Sequence, residues 1–143
     1  MEPAGLTERF VAAFLDTVLV LFVQVALNLV ISLTFGITGA RVAMAVTALL
    51  GLAVAAVYYV LMESSKRRAT LGKIAVGIEV TDADGFTLDF GEALWRHMWR
   101  LVSIMTLGIG FLMAGWSEQG LALHDRMSGT RVVLKEEVFE EEE

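Results

Sequence analysis

The chain has 143 residues, of which 56% are hydrophobic and 20% charged, with a formal net charge of −6. Its mean hydropathy of +0.65 lies well above that of an ordinary soluble domain. Six carboxylates fall in residues 136–143 (EEVFEEEE), so the remaining acidic and basic groups balance at eleven each, and the acidity belongs to a tail expected to be solvated and disordered. The lack of cysteine excludes disulfides and thiolate chemistry, and two histidines without a cluster give no basis for a zinc site.

The first expected element is a membrane span over residues 10–35. Its 26 residues contain one charge, Asp16, and seventeen Leu, Ile, Val or Phe residues. At 1.5 Å per residue this length exceeds the ~30 Å hydrocarbon core. The apolar residues together outweigh the ~3 kcal/mol that a central carboxylate costs on insertion. A break at GITGAR leads to a second span over residues 42–62, ended by Glu63 and the basic Lys66, Arg67 and Arg68. Ala43, Thr47, Gly51 and Ala55 recur every four residues along it, a ridge of small side chains that admits a neighbouring helix.

Between residues 73 and 90 the period changes. Ile74, Val76, Ile78 and Val80 alternate, Asp82-Ala83-Asp84-Gly85 supplies a turn, and Phe86, Leu88 and Phe90 alternate again. This predicts a β-hairpin outside the bilayer. The DADG run lacks the later ligands of a calcium loop and reads as a plain turn. Residues 91–117 begin amphipathic and become apolar around Gly108 and Gly110. They fit a third span or, preferably, two short helices that dip in and return. Residues 130–135 (TRVVLK) form a strand that pairs with the hairpin. The expected fold is an all-α membrane protein with a small cytoplasmic β element, one domain over residues 1–135. The basic loop after the second span places both termini in the cytoplasm of a multi-pass protein of the plasma membrane.

Arg9 and Asp16 are seven residues apart and share a face of the first helix, continued by Gln24 and Asn28. Such a polar stripe avoids lipid and faces another helix or a water-filled cavity. Burial raises the pKa of an intramembrane acid unless a cation offsets it, and Arg9 is the nearest candidate. His124-Asp125-Arg126 brings a titratable ring, an acid and a base together near the end of the chain. Asp125 can cap a turn there or accept hydrogen bonds from Arg9 and close the inner mouth of the stripe. No nucleophile elbow, HExxH or metal-carboxylate pair occurs, so neither an enzyme nor a cofactor is expected. The basic residues lack the aromatic interleaving of a nucleic-acid surface and suit anionic lipid headgroups better.

Arg9, Asp16, the run Ala69-Thr70-Leu71-Gly72-Lys73 before Gly-Ile-Glu-Val, and Ala122-Leu123-His124-Asp125-Arg126 before Gly-Thr-Arg-Val-Val together resemble the RDD family of small prokaryotic membrane proteins, named for an arginine and two aspartates. The resemblance extends from about residue 6 to 135. It implies a membrane location and a transport role, with some members proposed to exchange monovalent cations for protons. Arg9, Asp16 and Asp125 fall on the family's three positions. The leading expectation is a cation/proton transport unit in which Asp16 binds the ion, Arg9 tunes it and Asp125 gates it, with Gln24, Asn28 and His124 along a polar pathway. Two spans are few for such a path, so homo-oligomers are expected. The alternative is a non-transporting module that binds lipid or a partner protein, with Arg9, Asp16 and Asp125 as a structural ion-pair network.

Overall fold

A computed structural model describes residues 1–35, 40–106 and 109–135. Two long helices dominate it, α1 (Leu6–Phe35) and α2 (Ala40–Glu63). Both are long and apolar enough to cross a membrane. Their apolar side chains point outward: Phe22 is 73% and Leu33 78% exposed. A soluble protein buries helices of this composition, so the outward apolar surface calls for lipid around it. Thr47 and Gly51 of the α2 ridge meet Gln24 and Asn28 of the polar stripe on α1. Gln24 Nε2 donates to the Thr47 carbonyl at 2.7 Å, and Thr47 Oγ1 donates to Asn28 Oδ1 at 3.0 Å. A side chain at Gly51 would overlap the carboxamide of Gln24.

The segment after α2 is where expectation and structure part. Residues Leu71–Ala75 form a short helix, α3, rather than a strand. The strand β1 is Ile78–Asp82, and its partner is β2, Thr130–Leu134, in antiparallel register with Val80 opposite Val132. Among the described residues there is no 73–90 hairpin. Asp82 turns the chain by accepting from the amides of Asp84 and Phe86, at 2.9 and 2.8 Å. The alternation of Phe86, Leu88 and Phe90 then stops at a helix start. Asp89 and Glu92 form a reciprocal capping box that opens α4, Phe90–Met105.

The expected division of residues 91–117 into two helices is present as α4 and α5, Ile109–Trp116. Gly108 lies outside the described residues. Gly110 sits against α4 so closely that a Cβ there would meet Ser103 Oγ at 2.6 Å, and only glycine allows the two helices to meet. A short helix, α6 (Leu123–Ser128), ends at Gly129 in the left-handed conformation and feeds β2. The other edge of β2 is covered by the N-terminal segment. Ala4 donates to the Val132 carbonyl and Leu134 donates to that of Glu2, both at 3.0 Å. The buried apolar side chains Ala4, Ala12, Val60, Ile78, Val80, Leu88, Ala93 and Val132 form the core of this cap. It brings the start of α1, the end of α2 and the chain's last strand together. The acidic tail expected at 136–143 lies outside the described residues.

Candidate functional site

Asp16, 2% exposed, lies against the start of α3. Its Oδ1 accepts from Tyr58 Oη at 2.7 Å and from the Gly72 amide at 2.9 Å, while Oδ2 accepts from Thr70 Oγ1 at 2.6 Å. Thr70 occupies the N-cap of α3 but makes no side-chain cap bond itself. Asp16 therefore caps α3 from another helix, a carboxylate at the positive end of the peptide dipoles. Tyr58 Oη in turn accepts from the Leu71 amide at 2.9 Å. Gly72 is required by this approach: a Cβ would collide with the Ala12 carbonyl oxygen and stand 2.9 Å from the Asp16 carboxyl.

Arg9 does not pair with Asp16, the partner its spacing favoured. Its Nη1 donates to Asp125 Oδ2 at 2.5 Å, and its Nε and Nη2 donate to the carbonyls of Ala4 and Val132. Asp125, fully buried, also accepts from the Ala122 amide at 3.1 Å through Oδ2 and from Arg96 Nη1 through Oδ1. Burial alone would raise its pKa, but the guanidiniums of Arg96 and Arg9 hold it well below the usual carboxylate range.

Arg96 connects this pair to a second buried acid. Its Nε donates to Glu63 Oε2 at 3.1 Å, and Glu63 Oε1 accepts from Lys73 Nζ at 2.6 Å and Arg100 Nη2 at 2.9 Å. The result is one continuous array, Arg9 to Asp125 to Arg96 to Glu63 to Lys73 and Arg100, in which four bases meet two acids. Glu63 is its hub. In the sequence Glu63 reads as the end of a span, Lys73 as part of the Ala69–Lys73 run, and Arg96 and Arg100 as one face of the amphipathic opening of residues 91–117, with no acid assigned to any of these bases. The signal available was the i, i+4 spacing of Arg96 and Arg100 on an amphipathic helix, since two arginines buried on one face need acids opposite them.

Of the other expected site residues, Gln24 and Asn28 lie further along α1 and bind α2, away from this array. His124 is buried, with Nε2 3.5 Å from Asp125 Oδ1 and Nδ1 3.4 Å from Ser103 Oγ. Burial, reinforced by Arg96, pushes its pKa well below the usual imidazole range, so the ring is neutral near pH 7.

Burial, then the nearby Arg100 and Arg96, lowers Lys73 from 10.5 to about 8 despite its bond to Glu63. Between those two values the unfolded chain holds the Lys73 proton and the folded chain does not. The Lys73 contribution to stability therefore rises with pH across that window. Unfolding in a non-titrating detergent should show this rise for the wild type relative to Lys73→Met from pH 8 to 10.5. A constant difference between the two proteins over that range would contradict it.

The ion-pair array borders a cavity of about 760 Å³ between α1, α2 and α4. Arg9, Asp16, Lys73, Arg96, Arg100 and His124 line its polar part, and Phe10, Leu52, Leu94, Met98 and Ile104 its apolar part. Among the described residues no group of acids and histidines is arranged to hold a metal ion.

The fold and site define a small helical protein with two membrane-length helices and a buried polar array at one end. The RDD family model matches residues 3–129, and the chain belongs to that family. With the two long apolar helices, membership marks it as a membrane protein. It is 29% identical to the uncharacterized protein YxaI of Bacillus subtilis (strain 168), over 94% of this chain and 99% of that protein. No solved structure gives a significant match.

Proposed function

We propose that this chain is a membrane-embedded binding module that carries no ion by itself, with Arg9, Asp16 and Asp125 in a structural polar framework. The observation that carries this reading is the engagement of Asp16. Both its oxygens are held by three short hydrogen bonds from neutral donors. An ion-carrying acid must exchange partners during each cycle, and here exchange would uncap α3 and detach Tyr58 and Thr70. The rival reading, a monovalent cation/proton transport unit, also places its ion beside four bases and three acids, a surplus of positive charge that repels cations. Gln24 and Asn28 act in our reading as interhelical polar contacts instead of a pathway.

The reading keeps a multi-pass topology with the cap and both termini in the cytoplasm. It is supported by the exposed Lys66 and Arg67 beside the end of α2, which suit the anionic inner leaflet. Assembly into homo-oligomers, which a transport path through two spans would need, is not required.

Purified protein in liposomes with an imposed pH gradient tests the reading. Addition of Na⁺ or K⁺ is expected to leave the gradient unchanged for both the wild type and Asp16→Asn. Cation-driven collapse by the wild type, abolished in Asp16→Asn, would overturn it in favour of transport.

A further inference from the structure

Three neighbouring side chains on α4 are buried with hydrogen-bonding capacity unused. Among the described residues Arg96 Nη2, His97 Nδ1 and Arg100 Nη1 have no hydrogen-bond partner, although the residues are 1%, 6% and 8% exposed. Unpaired nitrogens on two buried guanidiniums are costly, and a native structure rarely leaves them so. Tyr59 holds two of these groups in place. The Arg100 guanidinium lies 4.4 Å above its ring, and the His97 ring stacks on it at 5.5 Å. All three residues line the cavity between α1, α2 and α4.

The charge there is unbalanced in the same sense. Arg9, Lys73, Arg96 and Arg100 outnumber Asp16, Glu63 and Asp125 by one. A single negative charge would balance these seven groups and give the unpaired guanidinium nitrogens an acceptor. The remainder of the cavity is apolar, and its walls include Phe10, Leu52, Leu94, Met98 and Ile104, all of them exposed. A small soluble anion has no use for that wall. Its volume of about 760 Å³ is within the ~300–1,000 Å³ typical of ligand sites.

We propose that the cavity is a binding site for an anionic phospholipid, entered from the bilayer, with the phosphate on Arg96 and Arg100 and part of an acyl chain along the apolar wall. This rests on the binding-module reading and gives it a ligand class. Phosphate is the natural partner of paired arginines, and the membrane supplies the chain at high local concentration.

Native mass spectrometry of the detergent-solubilised protein provides the test. Phosphatidylglycerol, phosphatidylcholine and inorganic phosphate are offered separately and in competition. The wild type is expected to retain phosphatidylglycerol about tenfold over phosphatidylcholine, the scale of one charge-assisted contact, and inorganic phosphate should not displace it. Arg100→Gln should bring the preference to about unity. Ala56→Phe, which fills the cavity without touching an ion pair, should reduce phosphatidylglycerol retention even if Arg100→Gln fails to fold. Equal retention of the two lipids by the wild type, full displacement by inorganic phosphate, or normal retention by Ala56→Phe would each overturn the lipid site. Those outcomes leave the absence of cation flux intact, so the two proposals fail separately.

Discussion

Glu63→Gln is expected to cost about 3–5 kcal/mol of folding stability, the loss that follows when one member of a buried charge cluster is removed. Glutamine has the shape of glutamate, so packing at the end of α2 is preserved. What disappears is, among the described residues, the only carboxylate bonded to Lys73 and Arg100, and one of the two bonded to Arg96. The three bases are left facing one another in a site where Glu63 is 1% exposed. The carboxamide also presents a donor on one side, against either Arg96 or the Lys73 and Arg100 pair. Denaturant titration in mixed micelles reads the effect. Removing one base as well, in Glu63→Gln with Arg100→Met, should recover part of the loss, because the two residues interact directly. A single variant within ~0.5 kcal/mol of the wild type, the level of an ordinary surface substitution, would show that the cluster is not under the charge stress described.

The part of the structure that follows from local pattern was legible in the sequence. Long apolar runs gave α1 and α2 to within a few residues, and the small residues of α2 pointed to its contact with α1. The division of residues 91–117 was legible from its glycines. The strand at 130–134 was legible from its alternation. The hairpin was not, because Phe86, Leu88 and Phe90 alternate without being a strand: Leu88 is buried in the cap, while Phe86 and Phe90 stay exposed. The competing signal was the Asp89-x-x-Glu92 pattern, which starts a helix at Phe90 and leaves no room for a second strand. The ion pairs were harder for a different reason. Glu63 finds its partners 10, 33 and 37 residues away, whereas the bond from Arg9 to Asp125, at a separation of 116, is one of the two roles the sequence offered for Asp125. Helical periodicity placed Arg9 and Asp16 on one face and suggested they meet. The N-terminal segment instead runs beside β2 and carries Arg9 toward α6, while α3, a helix too short to show a periodic pattern, takes Asp16.

That separation makes the two family aspartates unequal, and asparagine at each position should expose the difference. At Asp125 both oxygens face arginine: Arg96 on one, Arg9 and the Ala122 amide on the other. An asparagine must turn its NH₂ toward one of these donors and leaves two buried guanidiniums short of a counter-charge, a loss of about 3–5 kcal/mol. At Asp16 no salt bridge forms among the described residues, and the geometry is kinder. The asparagine oxygen can take the place of Oδ1 and still accept from Tyr58 and Gly72. Its NH₂ can donate to Thr70 Oγ1, whose hydroxyl rotates to suit. Only the strength that a carboxylate adds to its hydrogen bonds is lost, about 1–2 kcal/mol. Unfolding of both variants in the same micelles at pH 7 should therefore rank Asp125→Asn well below Asp16→Asn. Equal losses, or the reverse order, would mean that Asp16 carries a charge interaction its neutral donors do not account for. The same ranking makes Asp16→Asn the informative variant for flux, since a folded protein with that carboxylate neutralised separates an ion-carrying acid from a helix cap.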